Sequence, residues 1–294
     1  MVRPLAESEF CDWPSTLRRR AGRILSDSLH RIAVSFRLLD ADRRAIPDFI
    51  IAGAQRCGTT FLYSCIMSHP AARKPLRREI HFFDANFSRG IAWYRAHFPV
   101  LRESKAGAED RFITGESSPS YIIHPLAAER MAAALPTVKL IVCLRNPVDR
   151  AWSHYWHSVK RGFETLTFEE AIEAEESRLA QVGDFTGSDP AFNFSYLKRG
   201  LYAEHLERLF RFFPRERVLV VISEKMFSSP ESELHRACAF LGLDPSRARA
   251  GRPANVGRIR IPMDSTVRRR LLLRFQPHNR RLYELLGMDL GWDK

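Results

Sequence analysis

The stretch Gly53-Ala54-Gln55-Arg56-Cys57-Gly58-Thr59-Thr60 has the composition of an anion cradle. Glycines at both ends of a strand-to-helix connection let the backbone fold around an anion, so that amide N–H groups and the positive helix end converge on it. Thr59 and Thr60 add hydroxyl donors, and Arg56 adds a guanidinium. The nucleoside-triphosphate loop G-x-x-x-x-G-K-[ST] carries a lysine after its second glycine. Here Thr59 stands in that place, so the loop suits an anionic chain that stops before a γ-phosphate. Arg56 then lies where a bridging oxygen would separate a 5′-phosphate from a group to be transferred. A second segment, Arg145-Asn146-Pro147-Val148-Asp149-Arg150-Ala151-Trp152-Ser153, places an arginine at a strand end and a hydroxyl two turns into the next helix. Both face one edge of a parallel sheet and suit a terminal phosphate monoester. Singly, the two segments also read as a tight turn and a capped surface helix. Together they imply a ligand with two phosphates at opposite ends of a nucleoside.

These loops need strands behind them. Phe49 to Ala52, Val138 to Leu144 and Val218 to Ile222 are short continuous apolar runs rich in Ile and Val, as in strands covered on both faces. Helical stretches at Thr167 to Gln181, Leu201 to Phe213 and Glu231 to Leu241 supply the cover, and Thr167 with Glu170 forms a capping box. Asn146 and Pro147 give the helix after the second strand a cap residue and an N1 proline. The expectation is an α/β fold, P-loop-like, with a central parallel β-sheet flanked by helices. Residues 1–47 read as an N-terminal extension and 48–294 as the main domain. Within the extension, Ile24, Leu25, Ile32, Phe36 and Leu39 fall near helical spacing among arginines, a basic amphipathic helix. It either docks on the domain through this apolar stripe or makes peripheral contact with an anionic membrane.

The 294 residues are 45% apolar and 27% charged, the composition of a globular chain, with a net charge of +12. Arg247 to Lys294 alone carries twelve basic and four acidic residues. The partner is therefore expected to be anionic. No apolar run has the length of a membrane span and no signal peptide is recognised, so a cytoplasmic setting is expected. The five cysteines form no C-x-x-C pair, which disfavours a disulfide framework or a zinc site.

Gly53 to Tyr63 resembles the 5′-phosphosulfate loop of sulfotransferases, and Leu144 to Tyr155 resembles their 3′-phosphate motif. Arg78-Glu79-Ile80-His81-Phe82-Phe83-Asp84 is similar to the E-x-H-F-F-D stretch of the heparan sulfate glucosaminyl 3-O-sulfotransferases. The resemblance runs from about Pro47 to the C-terminus. It implies 3′-phosphoadenosine 5′-phosphosulfate (PAPS) as co-substrate, PAP as product, no catalytic metal, and a carbohydrate or glycoconjugate acceptor. Gly53, Gln55, Arg56, Cys57, Gly58, Thr59 and Thr60 would hold the 5′ end. Arg145 and Ser153 would hold the 3′-phosphate, and a tail loop with Asn255, Gly257, Arg258 and Arg260 would close over it.

By the same resemblance Glu79 is the general base, His81 orients the acceptor or assists that base, and Arg56 stabilises the bridging oxygen. Desolvation would raise the Glu79 pKa and the neighbouring arginines would lower it, so its direction stays open. Two departures stand out. Arg56 replaces a lysine common among relatives, which favours electrostatic stabilisation over acid catalysis. Ser117, in Gly115-Glu116-Ser117-Ser118-Pro119-Ser120-Tyr121, replaces a lysine of the 3-O-sulfotransferases, and Glu116 is either a substrate contact or a structural group. Trp93, Tyr94, Trp152, Tyr155 and Trp156 are stacking candidates or core. Alternatives are a lipid or small-molecule acceptor, an ATP-dependent P-loop kinase, or a basic nucleic-acid-binding protein. The kinase lacks its lysine and acidic magnesium ligands, and the last has no accompanying nucleic-acid-binding motif.

Overall fold

The computed structural model describes residues 27–101, 112–180, 193–251 and 261–294. Four parallel strands, β1 (Phe49–Gly53), β2 (Gly115–Glu116), β3 (Lys139–Leu144) and β4 (Val218–Ile222), form one sheet in the order β2-β1-β3-β4. The three apolar runs are thus strands, and β1 is buried along its whole length, as hydrophobicity without alternation requires. Register pairs Phe49 with Gly115 and with Lys139, and Leu144 with Ile222. The C-terminal ends of β1 and β3 therefore open on the same edge, which brings the two anion motifs together. β2 is the strand that the apolar pattern missed: it is two residues long, and a Cβ on Gly115 would lie 2.5 Å from the Phe49 ring.

The helices are α1 (Thr59–Ile66), α2 (Gly90–Arg95), α3 (Ala127–Ala134), α4 (Pro147–Lys160), α5 (Phe168–Glu173), α6 (Glu175–Ala180), α7 (Tyr202–Phe210), α8 (Ser223–Ser228), α9 (Pro230–Leu241) and α10 (Ser265–Leu286). Asn146 caps α4 by accepting from the Val148 and Asp149 amides, with Pro147 at its first position, and the Thr167–Glu170 box caps α5. The single helix expected at 167–181 is two. Glu175 turns inward at the junction and accepts from the Leu197 and Lys198 amides at 2.6 and 2.8 Å. One apolar core surrounds the sheet. A second joins α4 to α5 and α10 through Val148, Ala151, Phe168, Leu271 and Phe275.

Of the N-terminal extension, 27–37 is helical and Leu38–Arg43 is a 3₁₀ turn. Contact with the body runs through Val34, Ala41 and Ala45, all buried, and through Arg44, which donates to the Phe98 carbonyl at 3.0 Å and pairs with Asp40. The stripe expected to dock faces outward: Ile32 is 53%, Phe36 71% and Leu39 86% exposed. Ile24 and Leu25 lie outside the described residues. Among the described residues no helix is long and apolar enough to cross a membrane.

Candidate active site

The first loop leaves β1 under tight constraint. The Ala54 amide donates to the Cys143 carbonyl at 2.8 Å, the Cys57 amide donates to Ala54 at 3.2 Å, and Gly58 turns left-handed at φ 81° to start α1. A Cβ on Gly58 would meet Met226 of α8 at 2.4 Å, so only glycine supplies both the turn and the room. Amides of Arg56, Gly58, Thr59 and Thr60 find no acceptor among the described residues, and Gln55 Oε1 is buried without a donor. A concave row of unpaired donors at a helix start is the chemistry that an oxyanion group satisfies. Cys57 turns the other way. Its thiol lies 3.7 Å from the Tyr202 hydroxyl, Ser223 Oγ donates to its carbonyl, and burial pushes its pKa up to about 11. It braces the loop from behind.

Arg56 holds left-handed backbone, φ 70°, the kind of strain that functional loops retain. Its Nε donates to Ser153 Oγ of α4 at 3.1 Å, so the two predicted motifs meet side chain to side chain. Burial, and then the neighbouring Arg145 guanidinium, lower the Arg56 pKa. Two like charges drawn together on a partly buried edge are relieved by a bound anion. Arg145 is anchored through its own carbonyl, which accepts from the Tyr202 hydroxyl at 2.9 Å. Asn255, Gly257, Arg258 and Arg260 lie outside the described residues.

Glu79, His81 and Asp84 form a relay beside this loop. Asp84 Oδ2 lies 2.9 Å from His81 Nδ1, and Glu79 Oε2 lies 3.6 Å from His81 Nε2. Asp84 also accepts from Ser120 Oγ at 2.7 Å and from the Ala85 amide. Burial alone would push His81 down, but its hydrogen bonds to Asp84 and Glu79 outweigh this and carry it up to about 10. Burial likewise pushes Glu79 up, and His81 with Arg78, whose Nη2 is 2.5 Å away, reverses the direction. The open sign is therefore settled downward, and Glu79 is a carboxylate at neutral pH. His81, at φ 55°, is the second left-handed non-glycine residue.

The strip that carries them hangs on the segment after β2. Ser117 N–H donates to the Arg78 carbonyl at 2.9 Å, the Ile80 amide to Glu116 at 3.3 Å, the His81 amide to Ser118 Oγ at 3.0 Å and the Phe82 amide to the Tyr121 hydroxyl at 2.8 Å. Glu116 also accepts from Tyr94, Ser118 and Tyr121 at 2.6–2.8 Å. With that partner set and no exposure, it is a structural hub rather than a substrate contact. Ser117 is 1% exposed, so it is part of the same scaffold. Tyr94 and Tyr155 are core, and Trp152 stacks on Tyr155.

A cleft of about 730 Å³ joins Gln55, Glu79, His81, Ser120, His157 and Arg199. Sequence reasoning missed Arg199, which is 1% exposed and donates to Ser195 Oγ at 2.6 Å. Burial and then the adjacent Arg150 bring its pKa down to about 9. Nothing in its sequence neighbourhood marks it as buried. Among the described residues no cluster of three His, Cys, Asp or Glu side chains is arranged for a metal.

The profile of the sulfotransferase domain family matches residues 46–255. The chain belongs to the sulfotransferase family. It is a PAPS-dependent enzyme of that family, as the resemblance implied. Its curated relatives include heparan sulfate glucosamine 3-O-sulfotransferase 3A1 of Mus musculus, 33% identical over 87% of this chain and 67% of the relative, so that the chain spans about two thirds of that protein. Heparan sulfate glucosamine 3-O-sulfotransferase 6 of Mus musculus is 32% identical over 85% of this chain and 75% of its own length. Among solved structures, a sulfotransferase from Alicyclobacillus acidocaldarius superposes with a TM-score of 0.68 at 32% identity, covering 85% of this chain and all of the other.

Proposed function

We propose that this sulfotransferase moves the sulfuryl group of PAPS onto a hydroxyl of a carbohydrate, an anionic glucosamine-containing polysaccharide like that in its relatives' names, with Glu79 as the proton acceptor. When bound, PAPS supplies an activated sulfuryl group on a phosphate leaving group. The residues around the loop fit such a ligand: unpaired amides of Arg56, Gly58, Thr59 and Thr60 suit its 5′ end, and Arg145 with Ser153 suits the 3′-phosphate. Gly53 shapes the loop without room for contact, since a Cβ there would meet Ile122 at 2.4 Å. Arg56 reaches Ser153 and so serves both ends, with its guanidinium placed to neutralise charge that develops on the leaving oxygen.

Within the cleft, Glu79 receives the acceptor proton. Its lowered pKa makes it a weak base, so proton transfer comes late, after bonding to sulfur has made the hydroxyl acidic. His81, held cationic by Asp84, keeps Glu79 ionised and oriented. The observation that carries this reading is the Asp84–His81–Glu79 relay opening into the same cleft as Gln55 of the anion loop.

The test is Glu79→Gln, assayed for sulfate transfer from labelled PAPS to heparan sulfate and for PAP binding by calorimetry. Transfer is expected to fall by at least roughly 100-fold, with PAP affinity unchanged. A variant that keeps most of its turnover removes Glu79 from the base role.

A further inference from the structure

The strip that presents Glu79 and His81 to the cleft has a second cavity against it. Arg77 and Ile80 line a space of about 540 Å³, closed on its other sides by the helix at 27–37 and by α2, and within the size range of ligand pockets. Asn86 lines both this space and the catalytic cleft, so the two are neighbours across one side chain.

The charge of this lining is one-sided. Arg31, Arg77 and Arg89 line it from three different segments, and His30 and His97 line it too, with their Nε2 atoms 3.2 Å apart. Among the described residues no carboxylate lines the cavity. Asp27, at its margin, accepts from Arg77 and offsets one of the three. The Arg89 guanidinium sits 5.0 Å over the Trp93 ring, which holds the cation at the cavity wall, where it suits the anionic substituent of a sugar. Burial and Arg77 both lower the His30 pKa, and burial leads the causes that bring His97 to about 4. The region is thus one where a further positive charge is resisted and a negative one is welcome.

We propose that this cavity is an acceptor exosite, taking a sulfated or carboxylated sugar of the same polysaccharide chain whose target hydroxyl lies at Glu79, with Arg31 and Arg89 pairing its anionic group. The assignment rests on the polysaccharide reading above. It gives the helix at 27–37, which lies outside the matched family region, a part in holding the substrate. A polymer engaged at both places gains from effective concentration, whereas a disaccharide that fills the cleft alone gains nothing.

The double variant Arg31→Ala/Arg89→Ala, in the full chain, tests it against two acceptors, a heparan sulfate polymer and a heparan sulfate disaccharide. The expected result is a KM for the polymer raised roughly tenfold, because two charge-assisted hydrogen bonds to the polymer can no longer form. The kcat on polymer, kcat/KM on disaccharide and PAP affinity should stay at wild-type values. Arg31→Glu alone should move the polymer KM the same way. A wild-type enzyme that sulfates the polymer beside a double variant with unchanged KM overturns the exosite and spares the proposed function. An equal loss on both acceptors overturns it too, since the residues would then act on the cleft. Loss of binding to phosphatidylserine vesicles with no change on polymer assigns the arginines to a membrane surface instead. A wild-type enzyme that binds PAP yet sulfates neither acceptor removes the polysaccharide reading, and the exosite with it.

Discussion

His81 has Asp84 at 2.9 Å on Nδ1 and Glu79 at 3.6 Å on Nε2, and its pKa of about 10 depends on both. Asp84 is the closer and the fully buried one, so it dominates the upward pull against burial. Asp84→Asn should therefore drop the imidazole pKa far enough to reach the neutral range, because burial then acts with only Glu79 opposing it. An NMR titration of the ring would show His81 changing charge between roughly pH 5 and 8 in the variant and staying cationic there in the wild type. An unchanged midpoint would mean that Asp84 does not set the charge. The variant's Glu79, next to a neutral imidazole, also becomes a stronger base, so its pH–rate profile should shift upward. Glu79 and His81 were legible as a pair through the resemblance, whose rule for this stretch gives each of them a role. Asp84 had no such rule to announce its contact. Left-handed backbone at His81 turns the chain there, and the Ser120 contact that fixes Asp84 comes from a distant segment.

The strip at 78–82 belongs to no helix or strand, and its position depends on the segment after β2. Tyr121 is central to that dependence: its hydroxyl accepts from the Phe82 amide and donates to Glu116, both at 2.8 Å, with the ring 1% exposed. Tyr121→Phe orphans a buried amide and takes one donor from a buried carboxylate. The expected cost is about 2–3 kcal/mol of stability. Denaturant unfolding should register it, together with a lower kcat and unchanged PAP affinity, since the anion loop is untouched. Equal stability and turnover would show that the other bonds to Glu116 suffice to place the strip. At this scale β1, β3 and β4, the cap of α4 and the box of α5 were all legible, because each is a local pattern. β2 and the role of Glu116 were not: a two-residue strand has no period, and this carboxylate becomes a hub only when Tyr94 and the Ile80 amide come from distant segments to join its own neighbours Ser118 and Tyr121. The outward turn of Ile32, Phe36 and Leu39 was also hidden, since amphipathicity identifies an apolar face and not what covers it.

Over the whole molecule, charge is distributed in a way that composition does not convey. The +12 excess includes Arg150 and Arg199, both at 1% exposure or less, although arginine is among the residues least often buried. Several buried or half-buried histidines are held neutral, chiefly because burial penalises their charged form. Burial, and then neighbouring arginines, bring His157 to about 4 and His205 to about 3, while burial leads the causes that bring His97 to about 4. Each takes up a proton in the unfolded chain below about pH 6.5 but not in the folded one until near its own value, so stability falls as pH drops through that window. His81 runs the other way: its contribution is complete only below about pH 6.5 and is lost as pH rises from there toward 10. Glu116 and Glu175, raised by burial, oppose the trend as the pH nears the ordinary carboxylate range. Between about pH 7.0 and 5.5 these three histidines each remove about 1 kcal/mol, and together they outweigh the opposing gain from His81. Urea unfolding at the two pH values should show the difference, and His205→Gln should shrink it by about 1 kcal/mol whatever the variant's absolute stability. Equal stability of the wild type at both would mean that these rings exchange protons with solvent in the folded state.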